Sequence, residues 1–237
     1  MSEWALKRFW TKTEVTEADG GFTVTLDGRR IKTPAKADLV VPTRAFAQAI
    51  ADEWAAQEEK VDPLTMPATR AANAAIDKVA HQRAEVIDLL ADYGRTDLLC
   101  YRAAAPERLV ARQAEIWDPL LAWVASELGA PLNVGTGVMF VPQPEASLAA
   151  LRAPLDSAND FELAALHDLV SLSGSLVIGI KAMHAKEALD LWAASRVDET
   201  FQAEEWGEDE EAMEAAAVKQ TAFEDAFRFY HLLQARA

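Results

Sequence analysis

The stretch "FTVTLDGRRIKT", residues 22–33, decides what the beginning of this chain can be. Phe22, Val24 and Leu26 alternate with threonines, the two-residue period of a strand with one buried face. Asp27-Gly28 follows, a dipeptide suited to a two-residue hairpin turn with positive φ. "RRIKT" is then the return strand. Further on, "DLVV" before Pro42 predicts another short strand, so the first forty residues read as β. Thr43 reads as a helix cap. Phe46, Ile50 and Trp54 follow at i, i+4 and i+8, with Ala47 and Ala51 beside them. That is a helix whose apolar stripe can cover the hairpin sheet. Pro63 and Pro67 mark its end and the next start.

Beyond residue 64 the pattern turns helical. Helices are predicted over 67–93, 106–129, 145–156, 160–184, 186–206 and 208–235, with "PLNVGTGVMFVPQP" (131–144) as a loop or short hairpin. Pro119 should kink or restart the second of these. Trp4 and Trp10 are candidates for pinning the terminus to the body. The expected fold class is α+β. A small N-terminal α/β domain, 1–64, carries the hairpin sheet and its covering helix. A larger, mostly α-helical orthogonal bundle follows over 65–237.

Composition narrows the function. Of 237 residues, 51% are apolar, enough for a real core. The net charge of −15 argues against nucleic acid and anionic membranes as partners. No apolar run reaches the ~20 residues of a membrane span; the longest, 163–183, carries His167, Asp168 and Lys181. The lone cysteine, Cys100, excludes an intrachain disulfide and sits among apolar residues in "TDLLCYR", as a buried thiol would. The N-terminus shows neither a secretion signal nor an import leader.

Most catalytic motifs fail on mechanism. "GSLVIGIK" places Ile180 between Gly179 and Lys181, so it cannot form a phosphate-binding P-loop. Its small residues, Ser173, Gly174, Ser175 and Gly179, suit close helix approach instead. "SGS" is no nucleophile elbow, and His81, His167, His184 and His231 show no ligand spacing. The acidic run "SRVDETFQAEEWGEDEEAMEA" (195–215) holds nine carboxylates from Asp198 to Glu214 and no lysine. Its Glu208/Glu211 and Glu211/Glu214 spacings resemble the carboxylate sets of Mg²⁺-dependent nucleotide hydrolases. That is the alternative function, an enzyme using the acidic helix 198–214. A solvated face is the simpler reading of such a run.

Placed on one continuous helix, Trp192, Arg196, Glu199, Ala203 and Trp206 share a stripe, Leu189, Ala193, Val197 and Phe201 an adjoining apolar one. Ser195, Asp198, Gln202 and Glu205 then point outward. Arg196 and Glu199 between two tryptophans are either a structural ion pair or a polar cluster rimmed by aromatics, as in a protein-binding hot spot.

Eight short pieces, in order along the chain, resemble one family. They are "RFW" (8–10), "LDGRRIKTP" (26–34), "EWAAQ" (53–57), "MPATRAANAAID" (66–77), "TDLLCYR" (96–102), "QAEIWDPLLAW" (113–123), "LSGSLV" (172–177) and "RVDETFQAEEWG" (196–207). The family is that of the assembly chaperones for the α subunit of the catalytic head of F-type ATP synthase, from mitochondria and α-proteobacteria. The resemblance implies a monomeric, non-enzymatic chaperone with no cofactor and no metal. It would hold the unassembled α subunit soluble until the β subunit replaces it, in the bacterial cytoplasm, or in the mitochondrial matrix for eukaryotic relatives. It also implies that Arg196, Asp198, Glu199, Gln202 and Trp206 bind the partner.

Overall fold

In a computed structural model of the chain, residues 7–235 are described; Trp4 lies outside them. Strands β1 (Thr13–Ala18) and β2 (Gly21–Leu26) pair antiparallel, Thr13 opposite Leu26 and Ala18 opposite Gly21. Strand β3 (Arg29–Arg30) adds to the other edge of β2. The Asp27-Gly28 turn is where the sequence places it, with φ of 48° and 80°. The Asp27 carboxylate accepts from the Thr11 and Lys12 N–H groups. Chiefly the Lys12 bond holds it below the usual carboxylate range. A Cβ at Gly28 would meet no atom within 4 Å, so its cost is backbone strain alone. Gly28→Val should therefore destabilise the protein by about 1–3 kcal/mol. An unchanged thermal melting curve would show that the turn tolerates a side chain.

Two features depart from the sequence reading. The threonine face of β2 is as buried as the apolar face: Thr23 and Thr25 are buried alongside Val24 and Leu26. Burial is tolerable because the Thr23 hydroxyl donates to the Leu39 carbonyl at 2.6 Å. "DLVV" forms no strand. It contributes two isolated antiparallel bridges, Asp38 to Lys32 and Val41 to Phe22, and in the second the N–H groups each bond the other's carbonyl. The chain passes so close there that a Cβ on Gly21 would sit 2.3 Å from the Val41 carbonyl oxygen.

Helix α1 (Arg44–Ala56) starts at Thr43, whose hydroxyl accepts from the Phe46 N–H. It buries Phe46, Ala47, Ile50 and Ala51. Trp10 is buried edge-on against Trp54, with ring centres 5.1 Å apart. The chain divides into two compact units, 7–83 with 159–165 and 228–235, and 84–158 with 166–227. The residue-64 boundary thus falls inside the first unit, and two causes are visible. The Glu53 carboxylate on α1 accepts the Ala68 and Thr69 N–H groups, tying down the first turn of α2 (Pro67–Asp77). Phe46 packs on Phe161 and Phe229, which come from much later in the chain.

The second unit is helical: α3 (Arg83–Asp92, from its second residue), α4 (Glu107–Glu127), α5 (Glu145–Ser157), α6 (Asp160–Ser173, from Leu166), α7 (Leu176–Ala182), α8 (Leu189–Ser195), α9 (Val197–Trp206) and α10 (Glu210–Gln234, up to Phe227). A two-stranded parallel pair, β4 (Tyr101–Arg102) with β5 (Gly135–Thr136), joins the 131–144 loop to it. Pro119 lies inside α4 without restarting it.

The predicted 160–184 helix is two. Gly174, at φ 71°, ends α6, and Ser175 caps α7 by accepting the Ile178 N–H. Gly179 does serve close approach, since a Cβ there would meet Val170 of α6 at 2.3 Å. Under this break lies Asp97, completely buried. It accepts from the Ser175 hydroxyl at 2.8 Å and from the Val177 and Leu99 N–H groups at 3.0 and 3.1 Å. Cys100 is buried beside it, its thiol pushed up to about 12 by burial and the neighbouring Asp97. It is protonated and inert at neutral pH.

Candidate functional site

The segment singled out by its charge is not one helix. Arg196, at φ −116° and ψ 18°, ends α8 and begins α9: its N–H donates to Ala193 O and its carbonyl accepts from Thr200 N. The break changes the phase of everything after it, and two residues expected to face outward do not. Ser195 is buried, its hydroxyl donating to the Trp192 carbonyl. Asp198 turns toward α4, where its carboxylate accepts from the Gln113 side-chain amide at 2.6 Å. Gln113 is itself buried and accepts the Ala103 N–H.

The same side of α9 finds the cations that its own sequence lacks. Arg112 holds Glu204 in a two-pronged pair, at 2.9 and 2.7 Å, and Arg108 holds Glu205 at 2.9 Å. The hydrogen bond between them lowers Glu204 and raises Arg112 from their ordinary values. Both guanidinium groups also lie over the ring of buried Phe201. These pairs are exposed, so their main effect is to fix how α9 lies on α4.

The opposite side of α9 is open. The two tryptophans of the sequence stripe have different fates. Trp192 is buried against Phe223, with ring centres 5.7 Å apart, whereas Trp206 is 81% exposed. Between them Arg196 bonds Glu199 at 2.8 Å, and the Glu199 side chain remains 49% exposed. Gly207, at φ 93°, reverses the chain into α10, a conformation that only glycine adopts freely. The reversal brings Ala212, Met213 and Ala216 beside α9 and leaves a cleft of about 450 Å³. Arg196, Glu199, Gln202 and Trp206 all line it; Asp198 does not. The α10 side of the cleft was missed in the sequence, where "EEAMEAAAV" reads only as a solvated helix. The signal available was a lone methionine among alanines.

The remaining acids do not converge. Asp209 accepts the Ala212 N–H and so caps the first turn of α10. Glu208, Glu210, Glu211 and Glu214 are exposed, with no ion-pair partner among the described residues. Nor, among the described residues, do three or more His, Cys, Asp or Glu side chains gather as metal ligands. No helix among the described residues is long and apolar enough to cross a membrane.

Comparison with known proteins gives this architecture its class. Residues 7–125 match the family model described as the ATP12 chaperone protein. The crystal structure of Atp12 from Paracoccus denitrificans superposes with a TM-score of 0.94 at 51% identity, covering 98% of this chain and 100% of that one. A mutant of the same Paracoccus protein superposes equally well. The Atu1473 protein of Agrobacterium tumefaciens matches with a TM-score of 0.92 at 42% identity, over 96% of this chain and 86% of that one. Protein atp12, mitochondrial, of Schizosaccharomyces pombe is 26% identical over 224 residues, 89% of this chain and 77% of its own length. The fold, a small β portion followed by a mostly helical region, is that of a chaperone. The chain belongs to the ATP12 chaperone family, which acts in ATP synthase assembly.

Proposed function

We propose that this protein binds the unassembled α subunit of the F-type ATP synthase catalytic head and prevents its aggregation until the β subunit takes its place. It does so as a monomer in the bacterial cytoplasm, without catalysing a reaction. Family membership supports the assembly role. The observation that carries the site is Trp206, a large aromatic left 81% exposed at the rim of a cleft containing the Arg196–Glu199 pair. Exposed aromatics beside arginine are what protein-binding hot spots are made of. Arg196, Glu199, Gln202 and Trp206 form the contact surface in this reading. Asp198, bonded to Gln113, orients α9 beneath it.

Glu199→Lys tests the reading. It replaces an attraction to Arg196 by a repulsion, yet the pair is too exposed for this to cost more than about 1 kcal/mol of stability. The variant should melt nearly as the parent does. It should fail to suppress light scattering when denatured α subunit is diluted out of urea. Full protection by a folded Glu199→Lys protein would remove this residue from the contact surface. Unfolding would make the pair structural.

A further inference from the structure

We infer that the α9–α10 cleft takes a client segment in which an apolar side chain is flanked by lysine or arginine. This rests on the chaperone reading and specifies the chemistry that the site recognises. The apolar half of the argument is the lining. Trp192 forms buried surface, Ala203, Ala212 and Ala216 leave space, and Trp206 and Met213 stand exposed at the rim. Methionine and alanine shape an adaptable apolar slot, and its volume of about 450 Å³ admits a large side chain.

The charged half is an imbalance. No lysine or arginine occurs between Arg196 and Lys219. Arg196, the cation in the lining, is already bonded to Glu199. Arg108 and Arg112 are occupied by Glu205 and Glu204. Asp209 lines the cleft, and Glu208 and Glu210 adjoin it in sequence, both exposed and without ion-pair partners among the described residues. An apolar group entering here passes carboxylates on the way in. A neighbouring cation on the client gains from them, and an acidic neighbour is repelled. The same field disfavours nucleic acid and anionic lipid.

The test uses the full chain and short fluorescein-labelled peptides, read by anisotropy. One peptide carries leucine and phenylalanine flanked by lysines. A second replaces the lysines by glutamates, and a third replaces the apolar residues by serines. The first should bind, more weakly as salt rises, and the other two at least about tenfold more weakly. Trp206→Ala should weaken the first peptide by about tenfold or more, as loss of an aromatic anchor does. The Glu208→Lys, Glu210→Lys double variant should do so by a smaller factor and abolish the salt dependence. All these side chains are exposed, so melting curves should be unchanged.

Equal binding of the glutamate peptide, or of the lysine peptide by Trp206→Ala, overturns the inference. Equal or tighter retention on phosphatidylserine vesicles overturns it in favour of a membrane. The α-subunit aggregation assay on the same proteins separates the two readings. Protection without peptide selectivity sinks only the cleft chemistry. Peptide selectivity without protection sinks the choice of client.

Discussion

Asp97→Ala should destabilise the protein by about 2–5 kcal/mol at pH 5 and by less at pH 7.5. The side chain is completely buried, and its oxygens receive the Ser175 hydroxyl and the Val177 and Leu99 N–H groups. Truncation leaves these donors without acceptors, at roughly 1–3 kcal/mol for each buried group. It also loosens Ser175, whose hydroxyl caps α7.

The pH dependence follows from competition between burial and those hydrogen bonds. Burial is the larger effect and raises the carboxyl from 3.8 to about 6. A group that holds its proton more tightly in the folded state stabilises fully below its unfolded pKa. That contribution is lost as pH rises through the folded one. Wild-type stability should thus fall between about pH 4 and 7, by on the order of 3 kcal/mol from this group. Asp97→Asn, which cannot ionise, should not show this component. Urea titrations of the three proteins across that range provide the measurement. A difference between wild type and Asp97→Ala that grows with pH would mean that hydrogen bonding to the carboxylate outweighs its desolvation.

Trp117→Ala should cost about 3–5 kcal/mol, the range for emptying a buried aromatic site. Trp117 is 1% exposed, in the middle of α4. Its indole N–H donates to the Ala194 carbonyl at 2.7 Å, and the Arg102 guanidinium stacks over the ring. Arg102 is held in turn by Asp118 at 2.8 Å and by the Leu99 carbonyl. Truncation therefore leaves a cavity and an unpaired carbonyl near the end of α8, two residues before the Arg196 break. Trp117→Phe refills much of the volume without the hydrogen bond, so it should recover most of the stability, leaving about 1–2 kcal/mol lost. Because Ala194 leads directly into the cleft, Trp117→Ala should also weaken α-subunit protection at temperatures where it remains folded. A loss below about 1 kcal/mol in urea would show that the site collapses around the missing ring.

What could be read without coordinates was whatever the local chain dictates. Positive φ at Asp27-Gly28, the Thr43 cap, the α1 stripe and the burial of Cys100 follow from one residue's own geometry or from neighbours a turn away. The mixed architecture, a β-rich start and a helical remainder, follows from periodicity in the same way. The family resemblance lay in short ordered motifs, and the match of residues 7–125 to the ATP12 chaperone family agrees with it.

Distant groups decided the rest. Nothing near Asp198 in sequence announces Gln113, and nothing near Glu204 or Glu205 announces Arg112 and Arg108. These partners engage three of the nine carboxylates in an apparently uniform acidic run and turn that side of α9 toward α4. Likewise, no local rule separates Trp192 from Trp206. Both fall on one stripe, and only the reversal at Gly207 and the packing of Phe223 bury the first and leave the second in water. Sequence determined which residues carry charge and apolar surface here. Tertiary structure determined which of them are already spent on one another, because a side chain is free to bind only when no partner from elsewhere in the chain has reached it first.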